Sequence, residues 1–283
     1  MSAKLLAVDL DGTLLDPRGQ PHERDVRALR AALAEGVRIS IVTGRLYSGT
    51  RPAAEAVGLV GPVGCADGSH LVRANDHATL VHLGVRGESA RTMRSAFARA
   101  AVATFIFAED AIGHDARGAP FADYVRTWST DMRPVGDVFE HALWDAIDGI
   151  TGVVAVGDED AVRALVADLR DGLRDAVIAV AFPLRRGAHV GRWGMIVRSA
   201  RGTKGTALRW IAGHEGVAAA DTVCVGDWVN DVPMFEAAGR SFVMGQAPAE
   251  VKARATDILD ETSETGGGVA RAIEAAFGIR VER

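Results

Sequence analysis

Cysteine and lysine are scarce in this chain, and long apolar runs are missing. The two cysteines, Cys65 and Cys224, are too few for a disulfide framework or a four-ligand zinc site. Both lie inside apolar runs (PVGCADG and TVCVGD) and read as reduced strand residues. No run approaches the ~20 apolar residues that span a bilayer. Asp9 and Asp11 interrupt the N-terminal segment before a signal-like region is complete. A cytoplasmic protein without a membrane partner is therefore expected. Lys plus Arg is 32 against 37 Asp plus Glu, a net charge of −5, and no block of like charge is present to grip a polyanion, so nucleic acid is not expected as a partner. Only three of the basic residues are lysines, Lys4, Lys204 and Lys252, which sets each apart from the many arginines. Internal repeats and low-complexity segments are absent too. What remains is a 283-residue chain, 48% hydrophobic and 24% charged, a globular composition long enough for two domains or one large α/β unit.

The opening KLLAVDLDGT is a short apolar run that stops at acidic residues and Gly12, which predicts a buried strand ending in a polar turn. Apolar positions at helical spacing from Glu23 to Glu35, closed by Gly36, predict a helix. VRISIVTGR predicts a second strand, followed by a helical stretch to about Val57 and a third strand near PVGCADG. This alternation signals a parallel sheet with helices on its faces. Near Gly84 the pattern changes: helical segments at about Glu88 to Ala101 and Asp160 to Leu173 mix with strand-like runs TFIFA, GVVAV and AVIAVAF. After Trp193 the alternation resumes, with a helix from about Lys204 to His214, the strand DTVCVGD, a helix near Val232 to Ala238, SFVMG and a closing helix from Val269. The economical reading is an α/β core, a Rossmann-like parallel sheet with helices on both faces, built from 1–84 and 196–283. An α+β domain at 85–195 is inserted into it.

Ligands of open parallel sheets sit beyond the carboxyl ends of the strands. Strand one ends in Asp9, Leu10, Asp11, Gly12 and Thr13, strand two in Thr43, Gly44 and Arg45, and the late strand in Gly226 and Asp227, with Asn230 and Asp231 just beyond. Four carboxylates at one sheet edge repel one another unless a cation lies among them, and hard oxygen donors without His or Cys argue for Mg²⁺. A carboxylate can attack phosphorus, and a second carboxylate two residues on can protonate the leaving group and then activate water. Asp9 and Asp11 suit these roles, Thr43 offers neutral hydrogen bonds to phosphoryl oxygens, and Lys204 offers a compact cation. Taken singly, Asp-x-Asp is most often a turn and Thr-Gly-Arg a strand exit; the signal is their ordered combination at strand ends.

DLDGTLLD at 9–16, TGR at 43–45, Lys204 in GTKGTAL and GDWVNDVPMF at 226–235 together resemble the haloacid dehalogenase superfamily of phosphohydrolases. The match is closest to its Cof-type (class IIB) branch, whose cap is inserted between the second and third motifs. The resemblance implies Asp9 as nucleophile and Asp11 as general acid/base. It also implies Mg²⁺ held by Asp9, the Asp11 backbone carbonyl and Asp227 with Asp231 supporting, and a phosphoryl group held by Leu10 (through its backbone), Thr43, Gly44, Lys204 and Asn230. The implied substrate is a small phosphorylated metabolite, a sugar phosphate in the first place; a monomer or homodimer is expected. A phosphomutase or phosphotransferase on the same scaffold, or a non-catalytic phosphometabolite-binding protein, are the rival readings.

One departure from that pattern is Asp67-Gly68, where Cof-like sequences commonly carry Asn-Gly. Asp67 either meets a substrate hydroxyl or, as turn aspartates usually do, points away as a local cap, which is the expectation. In the inserted domain His114, Arg117, Arg126, Arg133, His189 and Arg192 could touch a substrate but are expected to be solvated surface residues. Trp128, Trp144 and Trp193 are expected to pack in that domain's core, and Trp228 to wedge the metal loop in place.

Overall fold

A computed structural model describes residues 4–184 and 187–282. The chain divides into two compact units. One holds the N-terminal stretch to Gly44 with Thr50–Leu80 and Thr203 onward, and the other Arg45–Gly49 with Val81–Gly202.

The first unit begins β1 (Leu5–Val8), α1 (Glu23–Ala34), β2 (Arg38–Ile41), α2 (Tyr47–Val57, its first residues lying in the second unit), β3 (Pro62–Cys65), β4 (His70–Arg73) and β5 (Thr79–His82, its last two residues lying in the second unit). The second carries α3 (Gly87–Arg99), β6 (Ala103–Ala108), β7 (Ala111–His114), α4 (Ala122–Val125), β8 (Met132–Pro134), β9 (Gly152–Gly157), α5 (Glu159–Leu173), β10 (Val177–Pro183) and β11 (Trp193–Ser199). The first unit resumes with α6 (Lys204–His214), β12 (Thr222–Gly226), α7 (Val232–Ala237), β13 (Arg240–Val243), α8 (Ala249–Lys252), β14 (Asp257–Ile258) and α9 (Gly268–Phe277).

Five parallel strands in the order β14-β13-β12-β1-β2 form the core sheet. The LLAV of β1 is buried throughout, as a strand covered on both faces requires. Val8 pairs with Val225 on one side and Ile41 on the other, so β1, β2 and β12 end level with one another. The chain leaves β1 toward β2 and returns to its other flank at β12, so the order reverses at β1, the kind of switch point beyond which open parallel sheets bind ligands. On one face α1 meets α9, and the buried Asp25 accepts hydrogen bonds from Gly267 N (2.9 Å) and Ala270 N (2.7 Å) at the start of α9.

The expected third strand behaves differently. β3 touches the parallel sheet through one bridge, Val42 to Gly64, and pairs antiparallel with β4 in a three-stranded sheet completed by β5. The chain reverses because Ala66, Asp67 and Gly68 all take positive φ, which folds it back on itself rather than into a crossover.

The second unit is a six-stranded sheet, β10-β11-β9-β6-β7-β8, antiparallel apart from the β7/β8 pair. Met93 and Phe97 of α3 and Val162, Leu165 and Leu169 of α5 bury one face against Ile106, Val153, Ala155 and Val197. Trp144 is buried there with its indole N–H on the Val138 carbonyl (2.8 Å). Trp193 packs at the edge under the Arg163 guanidinium, and Trp128 lies against Phe107 and Tyr124. Arg117, Arg126, Arg133 and Arg192 are exposed as expected. His114 is not: it is buried beside Phe105, its Nδ1 3.0 Å from the Asp115 carbonyl, because its strand position turns the ring into the apolar layer. His189 is largely covered by Phe121 and joined to Asp123.

Candidate active site

The level ends of β1, β2 and β12 bring Asp9, Thr43 and Asp227 to one edge. Asp9 leaves β1 with its N–H on the Val225 carbonyl (3.0 Å), and Thr43 follows β2 with its N–H on the Gly64 carbonyl (2.8 Å). Opposite them, Lys204 is the first residue of α6. Thr203 and Thr206 form a capping box there, each side-chain oxygen accepting the other's backbone N–H at 3.1 and 2.8 Å. Gly205 lets the helix come close, since a Cβ there would lie 2.2 Å from the Pro233 carbonyl oxygen. The result is a lysine 1% exposed whose Nζ donates to Asp9 Oδ1 and to Asp231 Oδ1, both at 2.6 Å.

Asp231 spends its other oxygen on the loop: Oδ2 accepts from Asp227 N (2.9 Å) and Trp228 N (3.0 Å). It thus ties the loop after β12 to Lys204. Asp227 in turn packs on Gly12, whose φ of +85° suits glycine and where a Cβ would lie 2.2 Å from Asp227 Oδ2. Asp227 Oδ1 is buried without a hydrogen-bond partner. Asp9, Asp227 and Asp231 present oxygens within 4.8 Å of one another.

Burial, reinforced by Asp231 and Asp227, pushes the Asp9 carboxyl well above the ordinary range against the pull of Lys204. Burial together with Asp231 pushes Asp227 up to about 7. Burial alone would lower Lys204, but the Asp231, Asp9 and Asp67 carboxylates hold its ammonium above the usual value. An orphaned buried carboxylate oxygen and an all-oxygen donor set from three converging carboxylates fit a hard divalent cation.

The other expected residues lie around this centre. Leu10 is buried, its carbonyl accepting from Thr13 and Leu15 N–H. Asp11 is exposed, and its side chain is not part of the converging triad. Gly44 faces the Asp67 carboxylate, and Asn230 donates to Asp67 Oδ1 at 2.7 Å. Two expectations fail. Asp67 does not point away: its φ of 52° turns the carboxylate inward, where it is buried. Trp228 does not wedge the loop; it is 47% exposed, and Asp231 does the holding. The two cysteines are free and buried as expected, with burial and then Asp231 raising the Cys224 thiol.

Gln246, just past β13, is a residue the motifs did not single out. Its Nε2 donates to the Gly12 carbonyl (2.6 Å) and Asp227 Oδ2 (3.2 Å), and its Oε1 accepts from Ser263 N (3.2 Å). The strand-end rule that picked out the others applies to it equally.

The family model for haloacid dehalogenase-like hydrolases matches residues 6–273. Pyridoxal phosphate phosphatase of Escherichia coli (strain K12) is 26% identical over 287 residues, covering 94% of this chain and 96% of its own. Among solved structures, a haloacid dehalogenase-like hydrolase from Bacteroides thetaiotaomicron aligns with a TM-score of 0.82 at 20% identity, over 97% of this chain and 100% of its own. A subclass IIB sugar phosphatase aligns with a TM-score of 0.72 at 20% identity, over 90% and 92%.

Proposed function

The chain belongs to the haloacid dehalogenase-like hydrolase family and is a phosphoric monoester hydrolase of that type, and from this premise we propose a Mg²⁺-dependent phosphatase of small phosphorylated metabolites that works through an aspartyl phosphate on Asp9. The observation that carries the reading is the buried Lys204 ammonium held between Asp9 and Asp231 beside the partnerless Asp227 Oδ1. Binding alone has no need of a nucleophilic carboxylate fixed by a lysine at the end of a buried strand.

Asp9, the Asp11 backbone carbonyl and Asp227 would hold Mg²⁺, with Asp231 supporting from behind. The bound ion would neutralise phosphoryl charge that the carboxylates otherwise repel. Lys204 fixes Asp9 through Oδ1, leaving Oδ2 to attack phosphorus. As that bond forms, the ester P–O bond breaks and Asp11 gives its proton to the leaving oxygen. Asp11, now a carboxylate, takes a proton from water; the water oxygen attacks phosphorus and the Asp9–phosphorus bond breaks, releasing phosphate. Thr43 and the backbone at Leu10 and Gly44 offer hydrogen bonds to the phosphoryl oxygens, and Lys204 offers its charge. Asn230 is aimed by Asp67. The unit containing Val81–Gly202 is the inserted cap.

The substrate class is small phosphate monoesters, sugar phosphates first, supported by the sugar phosphatase among the structural neighbours. A phosphate-release screen over phosphorylated sugars, pyridoxal phosphate and nucleotides, with and without Mg²⁺, tests the reading. Release that requires Mg²⁺ is expected. Inactivity on every compound would favour a binding protein, and phosphoryl transfer to added sugar outrunning release would favour a mutase.

A further inference from the structure

We propose that Gln246 is a positioning residue for Asp227, holding one of its carboxylate oxygens so that the other is presented to the cation. The inference rests on the reading of Asp227 as a metal ligand and adds a residue to it.

Asp227 follows directly on β12 and could rotate about its side-chain bonds. Asp231 Oδ2 holds its backbone N–H, and two contacts restrict the side chain: the Gly12 backbone lies against the carboxylate, and the Gln246 amide donates to Oδ2. Gln246 is the only side chain among the described residues that donates to this carboxylate, and it leaves Oδ1 without a partner. A carboxylate with one oxygen tied and the other bare is oriented for one-sided coordination, and partners that orient a ligand in this way commonly govern metal affinity.

The amide itself is held at three points. Nε2 donates at 2.6 Å to the Gly12 carbonyl, in the same loop as Asp9 and Asp11, and Oε1 accepts from Ser263 N. The Ser263 carbonyl meets His22 Nε2 at 2.7 Å. Gln246 therefore fastens the loop after β1 to the loop after β12. An amide suits the task where a carboxylate or an ammonium does not, since the position needs a donor toward two oxygens and an acceptor toward an N–H.

The test compares wild type, Gln246→Met and Gln246→Ala after EDTA treatment, reading the Mg²⁺ concentration that gives half the full thermal shift, with kcat measured across the same Mg²⁺ range. Gln246 is exposed, so the unliganded variants are expected to melt within a few degrees of wild type. Half-saturating Mg²⁺ should rise by roughly tenfold to a hundredfold, while kcat recovers at saturating Mg²⁺. A folded variant with unchanged Mg²⁺ affinity overturns the proposal, whether or not kcat falls. Should wild type itself show no Mg²⁺-dependent shift, the metal reading fails first and this proposal with it.

Discussion

The Nζ of Lys204 lies 2.6 Å from Oδ1 of Asp9, 195 positions earlier in the chain, and both side chains are buried. The contact joins the first turn of α6 to the end of β1. It accounts for the one lysine among the arginines that the fold encloses: a compact ammonium fits between two carboxylates where a guanidinium would not.

Lys204→Arg should accordingly not behave as a conservative change. The planar fork cannot occupy a space closed to 1% exposure without displacing Asp9 or Asp231. A fall in kcat on the order of a hundredfold is expected, with far-UV circular dichroism unchanged. Kinetics near those of wild type would remove Lys204 from the phosphoryl site.

Gly12→Ala should damage the site and stability together. The left-handed φ costs a residue with a Cβ about 1–3 kcal/mol, and that Cβ would meet Asp227 Oδ2 at 2.2 Å. A lower melting temperature in EDTA and a weakened Mg²⁺ response are the expected outcomes of paired thermal-shift titrations. A variant with wild-type Mg²⁺ affinity would show that Asp227 need not rest on Gly12.

Asp25 offers a pH signature away from the site. Burial raises its carboxyl above 3.8 against the hydrogen bonds from Ala270 and Gly267. A raised native value means that its contribution to stability is full below the ordinary aspartate range and is lost as pH rises through the native value. Asp25→Asn removes this titration and breaks one of the two hydrogen bonds, costing about 1–3 kcal/mol. The gap in melting temperature between wild type and variant should therefore narrow as pH rises from about 4. Measured from acid to neutral pH, a widening gap would contradict the assignment.

The parallel core and its strand-end carboxylates were legible because each buried strand stops abruptly at polar residues, and β1, β2 and β12 had to end near one another once they were adjacent. The inward turn of Asp67 was not, since nothing in ADG announces positive φ at two non-glycine residues. The β4–β5 hairpin escaped because HLVR and TLVH are too short to separate strand from loop by periodicity. Asp25 reads in the sequence as one polar helix position; its role at α9 depends on contacts more than 240 residues away. Gln246 carries no charge to attract notice, and one of its partners is a backbone carbonyl 234 positions off. His114 looked like a surface histidine until its strand position put it beside Phe105.

The central claim is a covalent phosphoryl group on Asp9, and pre-steady-state release of nitrophenol from p-nitrophenyl phosphate by Asp11→Asn tests it most directly. Nitrophenol leaves without needing a proton, so the variant should complete the first step and stall at the second. A burst of roughly one equivalent per enzyme is predicted, with peptide mass spectrometry placing the phosphoryl group on Asp9. Steady turnover without a burst, or a phosphoryl group on any other residue, would contradict the account.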